Sequence, residues 1–238
     1  MTDIKALVEG ASLLGLELDQ EKIDEFIKYK ELLKEWNEKV NITTITDDFE
    51  IDIKHFIDSL TPLTTDYFKE NIRVIDIGTG GGFPGLPLKI MNKSMDVTLV
   101  DSTKKKINFL KDVIESLGLE KVQAIHGRAE EMARDPLYRE KFNIAISRAV
   151  AQLNTLCEYC LPFVEVGGYF ISMKGSDIED ELKEAENSIK VLGGKLKETR
   201  IVKLPLSDIT HSLIIIEKVR NTSTKYPRGG GKPRKKPL

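Results

Sequence analysis

The sequence is poor in the features that mark the more specialised protein classes. In 238 residues it has two cysteines, three histidines and one tryptophan. Cys157 and Cys160 sit in the apolar run LNTLCEYCLPFV, with no second cysteine pair and no histidine nearby. That setting predicts a buried helix face, not half of a zinc site or a redox pair. The histidines share no ligand spacing with the cysteines, so no metal is expected. His55, His126 and His211 read as structural. No run approaches the roughly 18 apolar residues of a membrane span. The opening MTDIKALVEGASLLG lacks the basic start of a signal peptide. An apolar content of 40% with 31% charged residues fits a soluble globular chain. A cytoplasmic protein without membrane contact is the expectation.

One sign of charge is also scarce locally. The net charge of −2 speaks against a nucleic-acid partner, but the distribution is uneven. The last stretch, KYPRGGGKPRKKPL, holds six of the 36 Lys and Arg and none of the 38 acids. Its Pro and Gly content predicts a basic flexible tail over 221–238. Such a tail is either merely solvated or an arm that grips phosphates. Its candidate phosphate contacts are Lys225, Arg228, Lys232, Arg234, Lys235 and Lys236.

What is present is a two-part pattern. Residues 1–66 read as a helical N-terminal cap. In DQEKIDEFIKYKELLKEWNEKV, Ile23, Phe26, Ile27, Leu33 and Trp36 recur at helical spacing, and Asp19 can cap the start. That spacing favours packing for Trp36 over base stacking. A short segment, FEIDIKHFIDSL, follows. Residues 67–220 then alternate strand and helix. RVIDIG, DVTLVD, KVQAIHG, FNIAIS and GGYFISMKG read as strands, with KKKINFLKDVIESLG among the helices. KETRIVKLPL and HSLIIIEKV have no helix between them and predict an antiparallel hairpin at the sheet edge. The expected fold is α/β, a doubly wound Rossmann-like sheet with a C-terminal antiparallel hairpin.

The stretch VIDIGTGGGFPG places five glycines, Gly78, Gly80, Gly81, Gly82 and Gly85, straight after the first strand. Such a loop lets a backbone approach a ligand closely. The letters from Gly80 match the dinucleotide fingerprint, but the strand ends earlier, at Asp76. An acid there repels a pyrophosphate and suits a ligand with a cation, such as the ammonium of S-adenosylmethionine. It can equally brace the loop. Asp101 closes the second strand and can accept from both ribose hydroxyls, or cap the next helix beside Ser102. Ala129 and Glu130 follow the third strand, where they can meet an adenine edge; Glu130 can equally be a helix-start acid. Arg148 follows the fourth, where a charge after an apolar strand needs a partner or a task. Asp76 or Glu130 are its candidate partners. Lys174 closes the fifth strand.

With these residues placed, the chain resembles the bacterial small-subunit ribosomal RNA guanine-N7 methyltransferases, the glucose-inhibited division protein B family. The matching stretches are EWNEKVNITTIT, KHFIDSL, VIDIGTGGGFPGLPLKI, LVDSTKKKINFL, HGRAEE, SRAVA, MKG and the basic closing segment. The resemblance implies a class I S-adenosylmethionine-dependent methyltransferase sheet and methyl transfer to a guanine N7 in the decoding region of 16S RNA. It places cofactor contacts on Gly78, Phe83, Ala129, Glu130 and Arg148. To these the loop reading adds Asp76, Gly80, Gly82, Asp101 and Ser102. Arg148 is the candidate catalytic residue, at the methionine end of the cofactor or the guanine site. The partner implied is 16S RNA or an assembling small subunit, with Lys174 and the six tail cations as candidate RNA contacts and the enzyme as a monomer. Three rivals stay open: a nicotinamide-dependent oxidoreductase, a non-catalytic ribosome-binding factor and a small-molecule methyltransferase.

Overall fold

The Asp19 carboxylate accepts the Lys22 amide at 2.9 Å and so opens α2 (Gln20–Lys39), the longest helix. In the computed structural model, which describes residues 4–238, α2 is preceded by α1 (Lys5–Leu13). Residues 1–3 of the expected cap lie outside the described residues. The segment read as FEIDIKHFIDSL forms one continuous helical rod. It comprises α3 (Asp48–Ile51), a wider π-helical stretch (Asp52–Ile57) and α4 (Asp58–Leu60). Phe26 and Leu33 are buried as their spacing predicts. Trp36 packs edge-on against Phe109 at 5.9 Å and donates from Nε1 to Asp112 at 2.6 Å.

The alternating region gives seven strands and their helices. In chain order they are β1 (Arg73–Ile77), α5 (Gly85–Met91), β2 (Asp96–Asp101), α6 (Lys104–Ser116), β3 (Val122–His126), α7 (Ala129–Met132), β4 (Phe142–Arg148), α8 (Leu153–Cys160), β5 (Val164–Lys174), α9 (Glu179–Val191), β6 (Gly194–Lys203) and β7 (Thr210–Lys218). The sheet order is β3-β2-β1-β4-β5-β7-β6. β1 to β5 run parallel, while β7 is antiparallel to both β5 and β6. The hairpin is therefore at the sheet edge, with β7 inserted between β5 and β6.

Strand alternation divides the core in two. Val74, Val97, Leu99, Leu213 and Ile215 face one side, together with Leu7, Phe26 and Phe56 of the N-terminal helices. Ile75, Ile77, Val100, Ile214 and Ile216 face the other, against Leu156, Cys157 and Cys160 of α8. The cap is thus the helical layer over one face of the sheet and shares its core. The two cysteines are free and buried, and burial pushes the Cys157 thiol up to about 12.

The C-terminal segment departs from expectation. Residues 221–238, expected as a flexible tail, lie along α8 and end in α10 (Lys232–Lys235). Arg139 donates to the carbonyls of Thr222, Ser223 and Tyr226, and Arg134 to that of Pro227. Arg228 pairs with the fully buried Glu158 of α8, at 2.7 Å from Nη2 to Oε2. Pro233 is buried, and its carbonyl accepts from Thr155. The reason for the correction is a buried acid. A run of cations reads as solvated until a carboxylate with no other counter-ion is placed under one of them. Replacing Arg228 with alanine strands that carboxylate, at a cost of about 3 kcal/mol. Calorimetry should show a lower Tm, and limited proteolysis faster cleavage within 222–238. An unchanged Tm and cleavage pattern would contradict the docked segment.

Candidate functional site

The carboxyl ends of β1, β2 and β3 open into one cleft of about 170 Å³. Its walls include Gly78, Asp101, Ser102, Ala129 and Glu130 from the sheet side, and Val150, Tyr159 and Arg234 from the other. Five of the sequence-derived cofactor candidates therefore share one cavity. The glycine loop is tied to β2 through Gly78 N and Thr79 N, which both donate to the Val100 carbonyl at 2.8 and 3.1 Å. Gly78 has φ of +71°, and a Cβ there would sit 2.5 Å from Val150 Cγ2. Only glycine leaves that floor open.

Two carboxylates hold the loop. Asp101 Oδ2 accepts from Gly80 N at 3.0 Å and Oδ1 from Thr103 N at 2.7 Å. Each oxygen has a second lone pair left. Asp101 is thus both brace and cleft wall. Asp76 is fully buried, and its Oδ2 accepts from Thr79 Oγ1 at 2.6 Å and Gly85 N at 2.9 Å. Its Oδ1 has no partner. Burial lifts this carboxyl to about 6, against the pull of those two bonds. The loop-bracing reading of Asp76 is therefore the one present in the fold, and one oxygen is left over. Glu130 is buried and accepts from Arg128 at 3.0 Å.

Three expectations are changed by the packing. Phe83 is buried under the cap and does not line the cleft. Its ring stacks on His55 at 4.4 Å and on Tyr29 at 5.6 Å. Gly82 sits behind the loop, where a Cβ would meet Tyr29, Leu86 and Leu110, so it serves packing. Arg148 pairs with neither Asp76 nor Glu130. Its Nη1 donates to Asp58 Oδ2 at 2.7 Å and to the Lys54 carbonyl at 2.9 Å, and its guanidinium carbon lies 5.1 Å from the Phe83 ring centre.

Around this arginine the fold gathers residues that the sequence left apart. Asp58 Oδ1 meets His211 Nδ1 at 2.6 Å. Burial raises the Asp58 carboxyl, but the bonds from His211 and Arg148 outweigh it and hold it below the usual range. Arg148 Nη2 lies 3.3 Å from His55 Nδ1, and Thr43 Oγ1 lies 2.7 Å from Nε2. Arginine has only donors, so Nδ1 accepts and Nε2–H donates to Thr43. Burial and Arg148 push His55 down to about 3, which keeps it neutral. Lys54, His55, Asp58, Arg148, Lys174 and His211 line a second cavity, adjoining the first across Ala149–Ala151. Lys174 also pairs with Glu181. Asp58 went unsingled in the sequence; KHFIDSL was its one signal, and the two histidines read as structural belong to its network. Among the described residues no cluster of three or more His, Cys, Asp or Glu could hold a metal, and no helix is long and apolar enough to cross a membrane.

The raised Asp76 carboxyl yields a pH test. A folded value above the ordinary 3.8 means that ionisation costs stability. The cost is absent at low pH, grows between 3.8 and about 6, and stays near 3 kcal/mol above that. Asp76→Asn keeps one acceptor and removes the charge. In ligand-free protein the variant should melt several degrees above wild type at about pH 8 and level with it at about pH 4. Equal melting at both pH values would refute the assignment.

Known proteins resemble this chain over nearly its whole length. Residues 22–210 match the GidB family model, described as rRNA small subunit methyltransferase G. The chain is 50% identical to the Ribosomal RNA small subunit methyltransferase G of Alkaliphilus metalliredigens, over 98% of this chain and 97% of that protein. It is 52% identical to the protein of the same name from Clostridium novyi, over 96% and 94%. Among solved structures, M. jannaschii TYW2 in complex with AdoMet aligns with a TM-score of 0.51 at 18% identity, over 63% of this chain and 71% of that one. That last likeness is one of fold. By the family match and its half-identical relatives, the chain belongs to the GidB family of rRNA small subunit methyltransferases G.

Proposed function

We propose that this protein transfers a methyl group from S-adenosylmethionine to N7 of one guanine in the decoding region of 16S ribosomal RNA. The observation that carries the reading is the pair of adjoining cavities. One is walled by Gly78, Asp101, Ala129 and Glu130, the other by Arg148, Lys174, His55 and His211. One feature of the first fits the cofactor: the Gly78 floor would be closed by any side chain. Beneath the same loop, Asp76 keeps a buried oxygen without a partner. Asp101 would hold the ribose hydroxyls, with Ala129 and Glu130 at the adenine edge. S-adenosylmethionine, when bound, supplies an electrophilic methyl group.

The residues of the second cavity then have one task, to position the base. Guanine N7 has an in-plane lone pair and no proton to lose, so no side chain has to act as a base. The neutral His55, with both nitrogens engaged, suits that lack of demand. Arg148 is held rigidly by Asp58 and Lys54, and a guanidinium reads guanine O6 well. The exposed Lys225, Lys232, Lys235 and Lys236 are suited to phosphate contact. Because the rest of the chain is acidic, an assembled particle is the preferred substrate over naked RNA.

Purified protein with S-adenosylmethionine should form new 7-methylguanosine, at one position, on small subunits from a strain lacking the modification. Mass spectrometry of nucleosides reads it. No transfer to subunits or to naked RNA would refute the proposal. Arg148→Lys keeps a charge but loses the fork, and should cut the rate by about 10- to 100-fold.

A further inference from the structure

Nine arginines are present, and eight of them have a hydrogen bond or ion pair. Arg234 has neither. Its neighbours along the chain are nonetheless fixed. Pro233 is buried with its carbonyl bonded to Thr155, and Arg228 is clamped on Glu158. The backbone is thus anchored while the exposed Arg234 side chain, without a partner among the described residues, lines the cleft together with Ala129 and Glu130. Tyr159 of α8 lines it as well. Arg128, Glu130, Tyr159 and Arg234 all line this one cleft, and burial raises the Tyr159 phenol there.

We infer that Arg234 is a binding residue of this cleft, and that with Tyr159 it contacts the purine of an adenosine ligand. The inference rests on the cofactor reading above. A free guanidinium repels a sulfonium, so it belongs at the end of the cleft away from the methionine portion. There a neutral purine offers the flat face on which arginine stacks. The C-terminal segment is then part of the cofactor site, not solely an arm for RNA.

The test is calorimetric titration of the full chain with S-adenosylhomocysteine and with methylthioadenosine, which lacks the amino-acid portion. Arg234→Ala should raise Kd by about tenfold for both ligands at unchanged Tm. Arg234→Lys should recover little of that, since it restores charge without the plane. A Kd for Arg234→Ala within about twofold of wild type would overturn the inference, including when binding to small subunits falls. So would full recovery by lysine, or a loss for S-adenosylhomocysteine alone. If wild type binds neither ligand, the cofactor reading itself fails, a result distinct from the others.

Discussion

The ion pair between Asp58 and Arg148 is the contact on which the site depends. Arg148 ends β4, Asp58 belongs to the helical layer and His211 to β7, so one carboxylate joins three parts of the chain. Both side chains are largely removed from water. A pair of this kind adds little net stability over an apolar substitute, but loss of one partner leaves an uncompensated buried charge. Its contribution is therefore to geometry. It fixes a guanidinium over the Phe83 ring and beside His55, on the wall of the second cavity.

The same economy appears in the glycine loop. Asp76 and Asp101 are both nearly or fully buried, and both spend bonds on backbone amides of the loop. Bracing and binding are not alternatives for a carboxylate, because each oxygen accepts more than one bond. The π-helical stretch at Asp52–Ile57 serves a related end. The Lys54 carbonyl within it accepts from Arg148, so the irregular turn meets the end of β4 directly. Irregular helix of this kind is often found where side chains must be re-aimed at a site.

The C-terminal segment changes role once packing is known. Its net positive charge is divided. Arg228 pairs with Glu158, while the lysines and Arg234 are exposed, with Arg234 also lining the cleft. A single segment thereby lines the first cavity and presents exposed cations. The cap behaves similarly in sharing a core with the sheet, so neither terminal region is an appendage to a self-sufficient middle.

The sequence by itself determined the helical layer, the parallel strands with their terminal hairpin, the glycine loop and the acids at the strand ends. These are local properties: a period of two or 3.6, a cap, a turn that needs glycine. Asp101, Ala129 and Glu130 were legible because strand ends in such sheets face one crevice. The tertiary structure alone decided that Arg148 meets Asp58, 90 residues away, that Arg228 meets Glu158, 70 residues away, and that Phe83 turns into the cap. Charge pairing inside a protein is set by which groups share a low-dielectric space. That is a property of the packed chain and leaves no period or spacing in the sequence to read.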